Sequence, residues 1–438
     1  MRVLVDALNL SLSQGTGLAT YARNVCRANQ EAGNQVEILY EFLAPRGRTA
    51  LEEELAFYDP RYGISPRTDR ILNLALLARQ VAWPRPVLAR PLRFEGFVDT
   101  RSLQDQLPRF DRILTSPLIY RRARVYFKLT GRFLPVVADP MPDVAHWTTP
   151  HPIYMPNTRN IYTIHDVIPL KLPYTTMDDR RRYLGMIKGA VNHASQIISV
   201  SETTTRDLLA IAPEAAGKIT NTSQSIAPLR SDFARNPDDR QQLRNLLGVD
   251  HKKFFIFLSA IEPKKNLGRL IEAFLASDSP YPLVVVGKKA WLYENELRPL
   301  NYQATREKLG LTPKGKTRIV QLDYVSHDLV GKLVRAARAV LFPSLYEGFG
   351  LPILEAMTAG TPVMTSNSGA MAEIARPGTA LLIDPLNVEE MTGAIERLAR
   401  DDDLCTKLSA TGMARARDYN WDDYRKKLMQ AYENGVPG

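Results

Sequence analysis

The chain has 438 residues, 45% of them hydrophobic and 24% charged, which is typical of a globular protein and excludes extensive disorder or a fibrous repeat. Because one hydrophobic core seldom organises so long a chain, two domains are expected. Cys26 and Cys405 lie far apart and outside metal-ligand spacing, so neither a disulfide framework nor a zinc site is predicted. The start MRVLVDALNL is typical of a buried strand rather than a signal peptide, and no stretch has the length of a membrane span. We therefore expect a cytoplasmic protein.

The net charge of +10 is concentrated in one basic segment. Residues 61–134 contain 15 Lys or Arg and five Asp or Glu, and the rest of the chain balances at 42 of each sign. Such a segment attracts an anionic membrane surface, a lipid diphosphate, an acidic glycan or a nucleic acid, unless its arginines pair with acids elsewhere. It lacks a recognisable DNA- or RNA-binding motif, so a nucleic-acid partner is not predicted.

Short apolar runs alternate with helical periodicity, which is typical of parallel sheets with crossover helices. The first series predicts strands at 2–8, 35–40, 160–164 and 196–200, and helices at 18–31 and near 178–193. A long insertion, predicted to be irregular, interrupts it. The second series predicts strands at 254–259, 284–286, 318–322, 339–343, 362–365 and 381–383. The pattern therefore predicts an α/β protein with two sheets that face one cleft.

The domain boundaries follow from changes in this pattern. We predict a first domain over residues 1–240, with the basic insertion at about 45–140, and a second domain over 250–418. Residues 225–253 are polar apart from a short helical stretch and are assigned to the linker region. A C-terminal helix, about 420–438, is predicted to complete the first domain. Ligands of open α/β sheets bind at the carboxyl ends of the strands, so the loops that follow strands are candidate sites.

The most informative segment is 341–367, LFPSLYEGFGLPILEAMTAGTPVMTSN. A buried strand ends at Pro343, a glycine-bearing loop with Glu347 follows, and Pro352 is suited to the first turn of a helix. Glycines let the backbone approach a ligand, and the free amides of a helix start can hold a phosphate. Glu355, predicted in the first helical turn, and Glu347 can both accept hydrogen bonds from hydroxyls. The alternative is an acid that serves only the helix dipole, beside a plain turn.

This segment resembles the signature of the family 4 glycosyltransferases of the GT-B fold, in which two glutamates separated by seven residues bracket a GFGLP loop. The match covers EGFG, LP, LEAM and GTPV. The resemblance implies two Rossmann-like domains around a central cleft and a nucleotide-diphosphate sugar as co-substrate, with no further cofactor and no metal. It implies that Glu355 binds the nucleotide ribose. The residues that it assigns to the donor sugar and diphosphate are Glu347, Gly348, Phe349, Gly350 and Leu351.

A second element follows the first strand of the second domain. EPKKNLGRLIEAF, residues 262–274, resembles the family element whose second basic residue, here Lys265, holds the diphosphate, with Lys264 beside it. A diphosphate that leaves without a metal needs cations or amide dipoles for its developing charge. Ser259 stands where many members carry an arginine. Diphosphate binding is therefore expected to depend more on Lys265 and on the helix start.

Two weaker matches complete the expected donor site. Residues 322–344 resemble the base-binding loop and its helix, which implies that backbone groups of Tyr324 and Val325 read the nucleobase. In the first domain, QGTGLATYARNV resembles the glycine loop that closes over the diphosphate, which assigns that role to Gly15 and Gly17. A plain strand-to-helix turn is the alternative for this loop.

A histidine follows a strand in IYTIHDVIPL, where the family carries a histidine that faces the donor sugar. The resemblance therefore assigns His165, with Glu347 and Lys265, to the catalytic residues. His165 would contact the donor hydroxyls and orient the anomeric centre, and a structural role is the alternative. His146, in DVAHW, is a weaker candidate at the cleft or on the acceptor side.

The resemblance implies transfer with retention of the anomeric configuration, in which the diphosphate departs on the face that the acceptor hydroxyl approaches. Members whose EPKKN element lacks the upstream arginine look like mannosyltransferases, which favours GDP-mannose as the donor, with UDP-hexoses as the alternative. The basic insertion leads to the hypothesis of a glycan or lipid-diphosphate-linked acceptor in polysaccharide biosynthesis, at the inner face of the membrane. The one Asp-x-Asp spelling, 401–403, falls in a predicted helical region, so a metal site is not expected.

Other classes of protein share parts of this pattern. A sugar-nucleotide epimerase or a phosphorylase could adopt the same two-domain fold, but the GFGLP and EPKKN elements together favour transfer. A non-catalytic sugar- or nucleotide-binding protein would need neither Lys265 nor the diphosphate loop. Nucleotide release that depends on an acceptor distinguishes the transferase from the epimerase and the phosphorylase, and failure to bind any nucleotide would indicate the binding protein.

Overall fold

A computed structural model describes residues 1–9, 17–42, 49–58, 75–82, 85–99, 108–226, 237–308, 319–323 and 325–434. Within these residues the chain forms two large sheets of parallel strands with intervening helices, as the alternating sequence pattern predicts. The strands are continuous apolar runs because both faces of each sheet are covered. In the first strand, Val3 and Val5 pack into one buried cluster and Leu4 into another.

Over the described ranges, the first sheet has eight strands. Its order is β11-β10-β9-β7-β1-β2-β5-β4, and every pairing is parallel except that of β4 with β5. A separate small parallel sheet joins β3, β6 and β8. The strands are β1 Arg2–Asp6, β2 Gln35–Tyr40, β3 Val87–Leu88, β4 Arg90–Pro91, β5 Arg112–Thr115, β6 Leu134–Val137, β7 Val144–Trp147, β8 Ile153–Tyr154, β9 Arg159–Ile164, β10 Gln196–Ser199 and β11 Ile219–Asn221.

Eight helices belong to the described part of the chain before the second sheet. They are α1 Gly17–Glu31, α2 Ala50–Tyr58, α3 75–82, α4 Ile119–Thr130, α5 Ile168–Lys171, α6 Arg180–His193, α7 Glu202–Ile211 and α8 Pro237–Leu247. Nearby residues determine where three of these helices begin. Asp179 caps α6 and Ser201 caps α7 through side-chain oxygens, and α5 carries Pro169 in its first turn.

In the described part of the chain, the second sheet has six parallel strands in the order β14-β13-β12-β15-β16-β17. Numbered along the chain, this is the doubly wound order 3-2-1-4-5-6, whose direction reverses between β12 and β15. Its strands are β12 Phe255–Leu258, β13 Leu283–Val286, β14 Ile319–Leu322, β15 Ala339–Phe342, β16 Val363–Ser366 and β17 Leu381–Ile383. Its helices are α9 Leu267–Ala276, α10 Tyr293–Lys308, α11 His327–Ala336, α12 Leu351–Thr358, α13 Gly369–Ile374, α14 Val388–Arg400 and α15 Asp402–Ala416.

The last helix, α16 (Trp421–Asn434), returns to the first sheet. The Tyr432 hydroxyl lies 3.1 Å from Asn29 Nδ2 of α1, and Arg159 Nη1 donates to the Tyr432 carbonyl at 2.8 Å. At the other end of the helix, Trp421 Nε1 donates to the Glu31 carboxylate. Tyr432 is fully buried, so the chain end is part of the core beside the first sheet.

The expectation of an irregular insertion is wrong for its described residues. The segment 85–137 contributes β5 to the first sheet and also forms α4 and β6. The sequence analysis also missed β7, which lies between β1 and β9 at the centre of the sheet. These strands are four residues long, and charged residues or prolines flank them, so they carry no extended apolar run.

No helix in the described ranges combines the length and the apolar character that a membrane span requires.

Candidate functional site

The candidate site lies where the strand order of the second sheet reverses. β12 and β15 are hydrogen-bonded neighbours, so the loops after them meet at the carboxyl edge of the sheet. The turn after β12 carries Lys264 and Lys265, and Asn266 ends it with φ of 61°. Asn266 Nδ2 donates to the Pro343 carbonyl at 3.1 Å, just beyond β15, while the Lys264 carbonyl accepts from Leu345 N at 2.8 Å. These bonds hold the two loops in fixed relation.

Lys265 and Glu347 form an ion pair across these loops, with 2.5 Å between Nζ and Oε1. Both side chains are nearly buried, and Glu347 is 9% exposed. Burial acts to raise the pKa of Glu347, but the charges of Lys265 and Lys264 outweigh it, so the pKa lies below its usual range. Glu347 is therefore a charged acceptor at neutral pH, next to a lysine that can hold an anion.

The loop after Glu347 presents unpaired amides at the start of α12. Within the described structure, no oxygen accepts a hydrogen bond from the amides of residues 348–351. Gly350 directly precedes the helix as its N-cap with φ of 132°, a conformation that residues other than glycine rarely adopt, and no described side chain caps the helix. Free amides at a helix start favour an anion through their hydrogen bonds and the helix dipole. The local geometry is that of a phosphate-binding loop.

Glu355 lies in the second turn of α12, not in the first turn as the sequence analysis expected. The helix begins at Leu351, so Glu355 is its fifth residue. Its carboxylate makes no hydrogen bond or ion pair with another described side chain, and burial raises the pKa of Glu355 to about 7. A half-buried carboxyl without a charged partner is suited to accept hydrogen bonds from neutral hydroxyl groups.

His165 follows β9 at the carboxyl edge of the first sheet, and its backbone carbonyl lies against the same loop at Gly348. Its Nε2 donates to the Thr148 carbonyl at 2.8 Å, which fixes the tautomer and leaves Nδ1 as an acceptor. Burial lowers the pKa of His165, so the ring is neutral at physiological pH. Tyr21 packs edge-on against the ring, with 4.7 Å between centroids. The ring is thus held in one orientation as a hydrogen-bond acceptor.

The two domains meet at Gly348. A Cβ atom at this position would overlap the His165 carbonyl oxygen and lie 2.9 Å from Asp166 Cβ, so only glycine fits here. The Gly348 carbonyl accepts hydrogen bonds from Ser201 Oγ at 2.7 Å and Thr204 Oγ1 at 3.2 Å. Residues 347–351 of the second domain form the predicted donor loop. This loop is therefore docked on the first domain beside His165.

Further contacts between the domains surround this point, and sequence reasoning missed them. Lys171 Nζ lies 2.5 Å from Asp207 Oδ1 and 2.9 Å from the Tyr346 hydroxyl, which also bonds to Asp207. The Glu373 carboxylate of α13 accepts from the first amides of α7, Glu202 N at 2.9 Å and Thr203 N at 3.1 Å. These residues are ordinary surface types in sequence. Only the long-range fold brings them together.

The remaining predicted residues have mixed outcomes. Gly17 begins α1, and a Cβ there would lie 3.5 Å from Leu351 Cδ1, so this residue is beside the donor loop. Val325 is half-buried before α11. Gly15 and Tyr324 lie outside the described residues.

The prediction that His146 lies at the cleft was wrong. It is fully buried on β7, where Nδ1 lies 2.7 Å from the Tyr432 hydroxyl and Nε2 lies 2.8 Å from Thr163 Oγ1. Burial lowers the pKa of His146 to about 3. Its role is to connect β7, β9 and α16 as a neutral side chain.

Asp401, the first acid of the Asp-x-Asp spelling, caps α15 by accepting from Leu404 N at 2.8 Å. Across the described ranges, no group of three or more His, Cys, Asp or Glu side chains is arranged to hold a metal ion.

Comparison with known proteins agrees with this geometry. The family model for glycosyl transferases group 1 matches residues 239–415, which include the second sheet and the donor loop. The O-antigen chain mannosyltransferase B of Escherichia coli is 28% identical over 64% of this chain and 72% of its own length. The serotype-specific mannosyltransferase WbdA of Escherichia coli is 25% identical over 60% of this chain, a region that spans 32% of WbdA.

Solved structures share the whole architecture. Sucrose-phosphate synthase from Thermosynechococcus elongatus superposes with a TM-score of 0.65 at 17% identity, over 99% of this chain and 98% of that one. Alr3699/HepE of Anabaena, solved in complex with UDP-glucose, gives a TM-score of 0.62 at 16% identity, over 98% of both chains. At such identities the likeness concerns the fold. The match to the group 1 model and the mannosyltransferase relatives support the resemblance of this chain to the family 4 glycosyltransferases, and its fold is GT-B.

Proposed function

We propose that this glycosyltransferase transfers mannose from GDP-mannose, with retention and without a metal ion, to a glycan or lipid-linked acceptor in polysaccharide biosynthesis. Two of its relatives bear the names of an O-antigen chain mannosyltransferase and a serotype-specific mannosyltransferase, which supports both the sugar and the type of product. The EPKKN element with Ser259 upstream also favours this subgroup.

One observation carries the proposal: the buried Lys265–Glu347 pair lies beside four unpaired amides and opposite His165. The pair neutralises two charges that would be costly to bury alone. When a donor binds, Lys265 exchanges the carboxylate for a diphosphate oxygen. Glu347 is then free to accept hydrogen bonds from the hydroxyls of the donor sugar.

The same arrangement assigns roles for the chemical step. The bond between the sugar C1 and the diphosphate oxygen breaks, and the amides of residues 348–351 with Lys265 stabilise the charge that develops on the diphosphate. The acceptor oxygen bonds to C1 on the same face, and its proton passes to the departing diphosphate oxygen. His165 Nδ1 accepts from a donor hydroxyl and orients the anomeric carbon, while Glu355 holds the ribose.

A UDP-hexose is the second candidate donor. Alr3699/HepE, which shares the fold over almost its whole length, was solved with UDP-glucose. The base would lie at the loop that contains Val325, and backbone groups there discriminate between guanine and uracil.

A thermal-shift panel of GDP, UDP, ADP and their mannose and glucose conjugates tests the donor. A ligand that binds only the folded state raises the unfolding temperature. At a ligand concentration of 100 Kd, the free energy of unfolding increases by about 2.7 kcal/mol. We expect GDP and GDP-mannose to give the largest shifts, and Lys265→Met to reduce them. A larger shift with UDP than with GDP would assign the second donor instead. No shift with any nucleotide would refute the proposal.

Turnover separates a transferase from a binding protein. In Glu347→Gln the carboxamide keeps the shape but loses the charge, so the variant should bind nucleotide and lose turnover by about 10²-fold or more. Glu389→Gln, on the exposed first turn of α14, makes the same chemical change away from the site and should keep wild-type rates. Nucleotide binding by the wild type without release of nucleotide in the presence of any lipid-linked glycan would indicate a non-catalytic binding protein.

A further inference from the structure

A groove of about 510 Å³ opens on the first domain, and none of its lining residues belongs to the donor loop. It lies between α3, α4 and the strand segment that begins at residue 85. Its lining includes three arginines, Arg79 of α3, Arg85 before β3 and Arg122 of α4, together with Gln80. The volume is in the range of small-ligand sites, and the lining is strongly basic.

The buried side chain of Arg122 is a fixed part of the groove wall. Its residue is 6% exposed, and its Nε is buried without a hydrogen-bond partner. One Nη atom donates to Gln80 Oε1 at 3.2 Å, and Gln80 Nε2 in turn donates to the Arg85 carbonyl at 2.9 Å. Gln80, itself 5% exposed, therefore orients the guanidinium while leaving its charge uncompensated.

No acid in the described part of the chain pairs with Arg79, Arg85 or Arg122. Glu41 lies near the first amides of α4, but the arginines that act on it are Arg124 and Arg121. Burial lowers the pKa of Arg122, and no charge among the described residues offsets that effect. A buried guanidinium without an anion is costly, because desolvation is not repaid by a counter-charge.

The groove lies beside the cleft side of the first sheet. α4 starts four residues after β5 ends, and in its first turn the Tyr120 hydroxyl bonds to the Leu39 carbonyl at 2.7 Å and to Ala7 N at 3.1 Å. Leu39 and Ala7 are at the carboxyl ends of β2 and β1. Arg122, in the same turn of α4, is therefore near the edge from which His165 also projects.

We propose that this groove binds a phosphate or diphosphate group, with Arg122 as the buried anchor, and that the group belongs to the acceptor. A planar guanidinium offers parallel N–H donors that match two phosphate oxygens, and the orphaned Nε supplies one of them. Arg79 and Arg85 add charge at the rim. The acceptor assignment rests on the proposed function, whereas phosphate binding in the groove does not.

Inorganic pyrophosphate is the first probe, in a Lys265→Met background that weakens binding at the donor loop. Calorimetry should find binding that Arg122→Gln weakens by about tenfold or more, since charged hydrogen bonds of this kind are among the stronger ones. Lys128→Gln is the matched control, because Lys128 is exposed on the same helix, does not line the groove, and loses the same charge. Equal affinity in the two variants would overturn the site.

A second variant keeps the test decisive if Arg122→Gln does not fold. Arg79→Gln/Arg85→Gln changes only exposed side chains and should also weaken pyrophosphate binding relative to Lys128→Gln. Unchanged binding in this double variant, together with an unfolded Arg122→Gln, would refute the groove as a phosphate site.

The source of the phosphate is tested by transfer kinetics in the wild-type background. Arg122→Gln should raise the KM for a polyprenyl-diphosphate-linked glycan by about tenfold and leave the KM for the nucleotide sugar unchanged. If the variant instead loses flotation with phosphatidylglycerol vesicles but keeps both KM values, the group is a membrane headgroup and the acceptor assignment is wrong. If pyrophosphate binds but no acceptor is glycosylated, the proposed function fails while the anion site stands.

Discussion

The contact between Gly348 and the first domain predicts a large effect from one methyl group. In Gly348→Ala the new Cβ would overlap the His165 carbonyl oxygen and lie 2.8 Å from the carbonyl carbon, whereas carbon atoms in contact are about 3.5–4.0 Å apart. The loop and the His165 backbone must therefore separate by more than about 1 Å. Gly348 is not at positive φ, so alanine adds no backbone strain, and the effect isolates the approach of the two domains. Because a misplacement of about 1 Å can reduce turnover by about 10²-fold, we expect a loss of that size.

The assay is steady-state transfer with thermal unfolding in parallel. Gly348→Ala should keep a cooperative unfolding transition while kcat/KM falls. Gly393→Ala on α14 is the matched control, because a Cβ there would meet nothing within 4 Å. Alanine in a helix interior should raise stability by about 1 kcal/mol and leave turnover unchanged. Wild-type turnover in Gly348→Ala would refute the inference that this approach of the domains is required for catalysis.

Three further predictions concern titration and the contacts between the domains. If the ionised form of Glu355, with a pKa of about 7, binds the ribose, nucleotide affinity should rise about tenfold from pH 6 to pH 8, and titration calorimetry on Glu355→Gln should show the rise abolished. Glu373→Gln weakens the bonds to the start of α7, so it should weaken nucleotide affinity by about tenfold if closure is coupled to binding; equal affinity in Glu373→Gln and the surface control Glu389→Gln would contradict that coupling. His146 has a pKa of about 3 in the folded protein and 6.5 in the unfolded chain, so between pH 3 and pH 6.5 only the unfolded chain binds the proton. The free energy of unfolding should therefore fall by up to about 1.4 kcal/mol per pH unit as the pH drops below 6.5. Urea unfolding at pH 7 and pH 5 should give a shallower dependence for His146→Gln, and an identical slope would show that another group is responsible.

Much of the fold could be predicted because both faces of each sheet are buried. Buried parallel strands must be apolar along their whole length, so β12 and β15 are visible as runs such as FIFL and AVLF. Every strand predicted in the second series is present within one residue of its expected bounds. The α/β class with two Rossmann-like domains is confirmed.

The missed strands have a local cause. In β7, VAHW, a buried histidine takes the place of an apolar side chain, because the Tyr432 hydroxyl and Thr163 satisfy its ring nitrogens. Those partners are 286 and 17 residues away, so sequence periodicity carries no trace of them. The same polar character made His146 resemble a cleft residue.

The candidate site was predictable in its parts but not in their relation. Sequence reasoning placed Lys265 after one strand and Glu347 after another, and strand order alone makes these loops neighbours. It did not predict that the two side chains pair with each other, nor that Gly348 rests on His165. Both facts depend on contacts between residues that are more than 80 positions apart.

If the proposed function is correct, the charges around the Lys265–Glu347 pair determine which groups can bind the diphosphate. Glu262, Glu347 and Asp166 all act on Lys264 and, against the effect of burial, raise its pKa, so the two lysines are already outnumbered by carboxylates. A diphosphate adds more negative charge, and Ser259 offers no cation where many members of the family have an arginine. Backbone amides attract an anion without needing a counter-ion of their own, so the unpaired amides at the start of α12 must supply much of the attraction. The position of that loop, which Gly348 sets against the first domain, should therefore matter more for donor binding than Lys264 does.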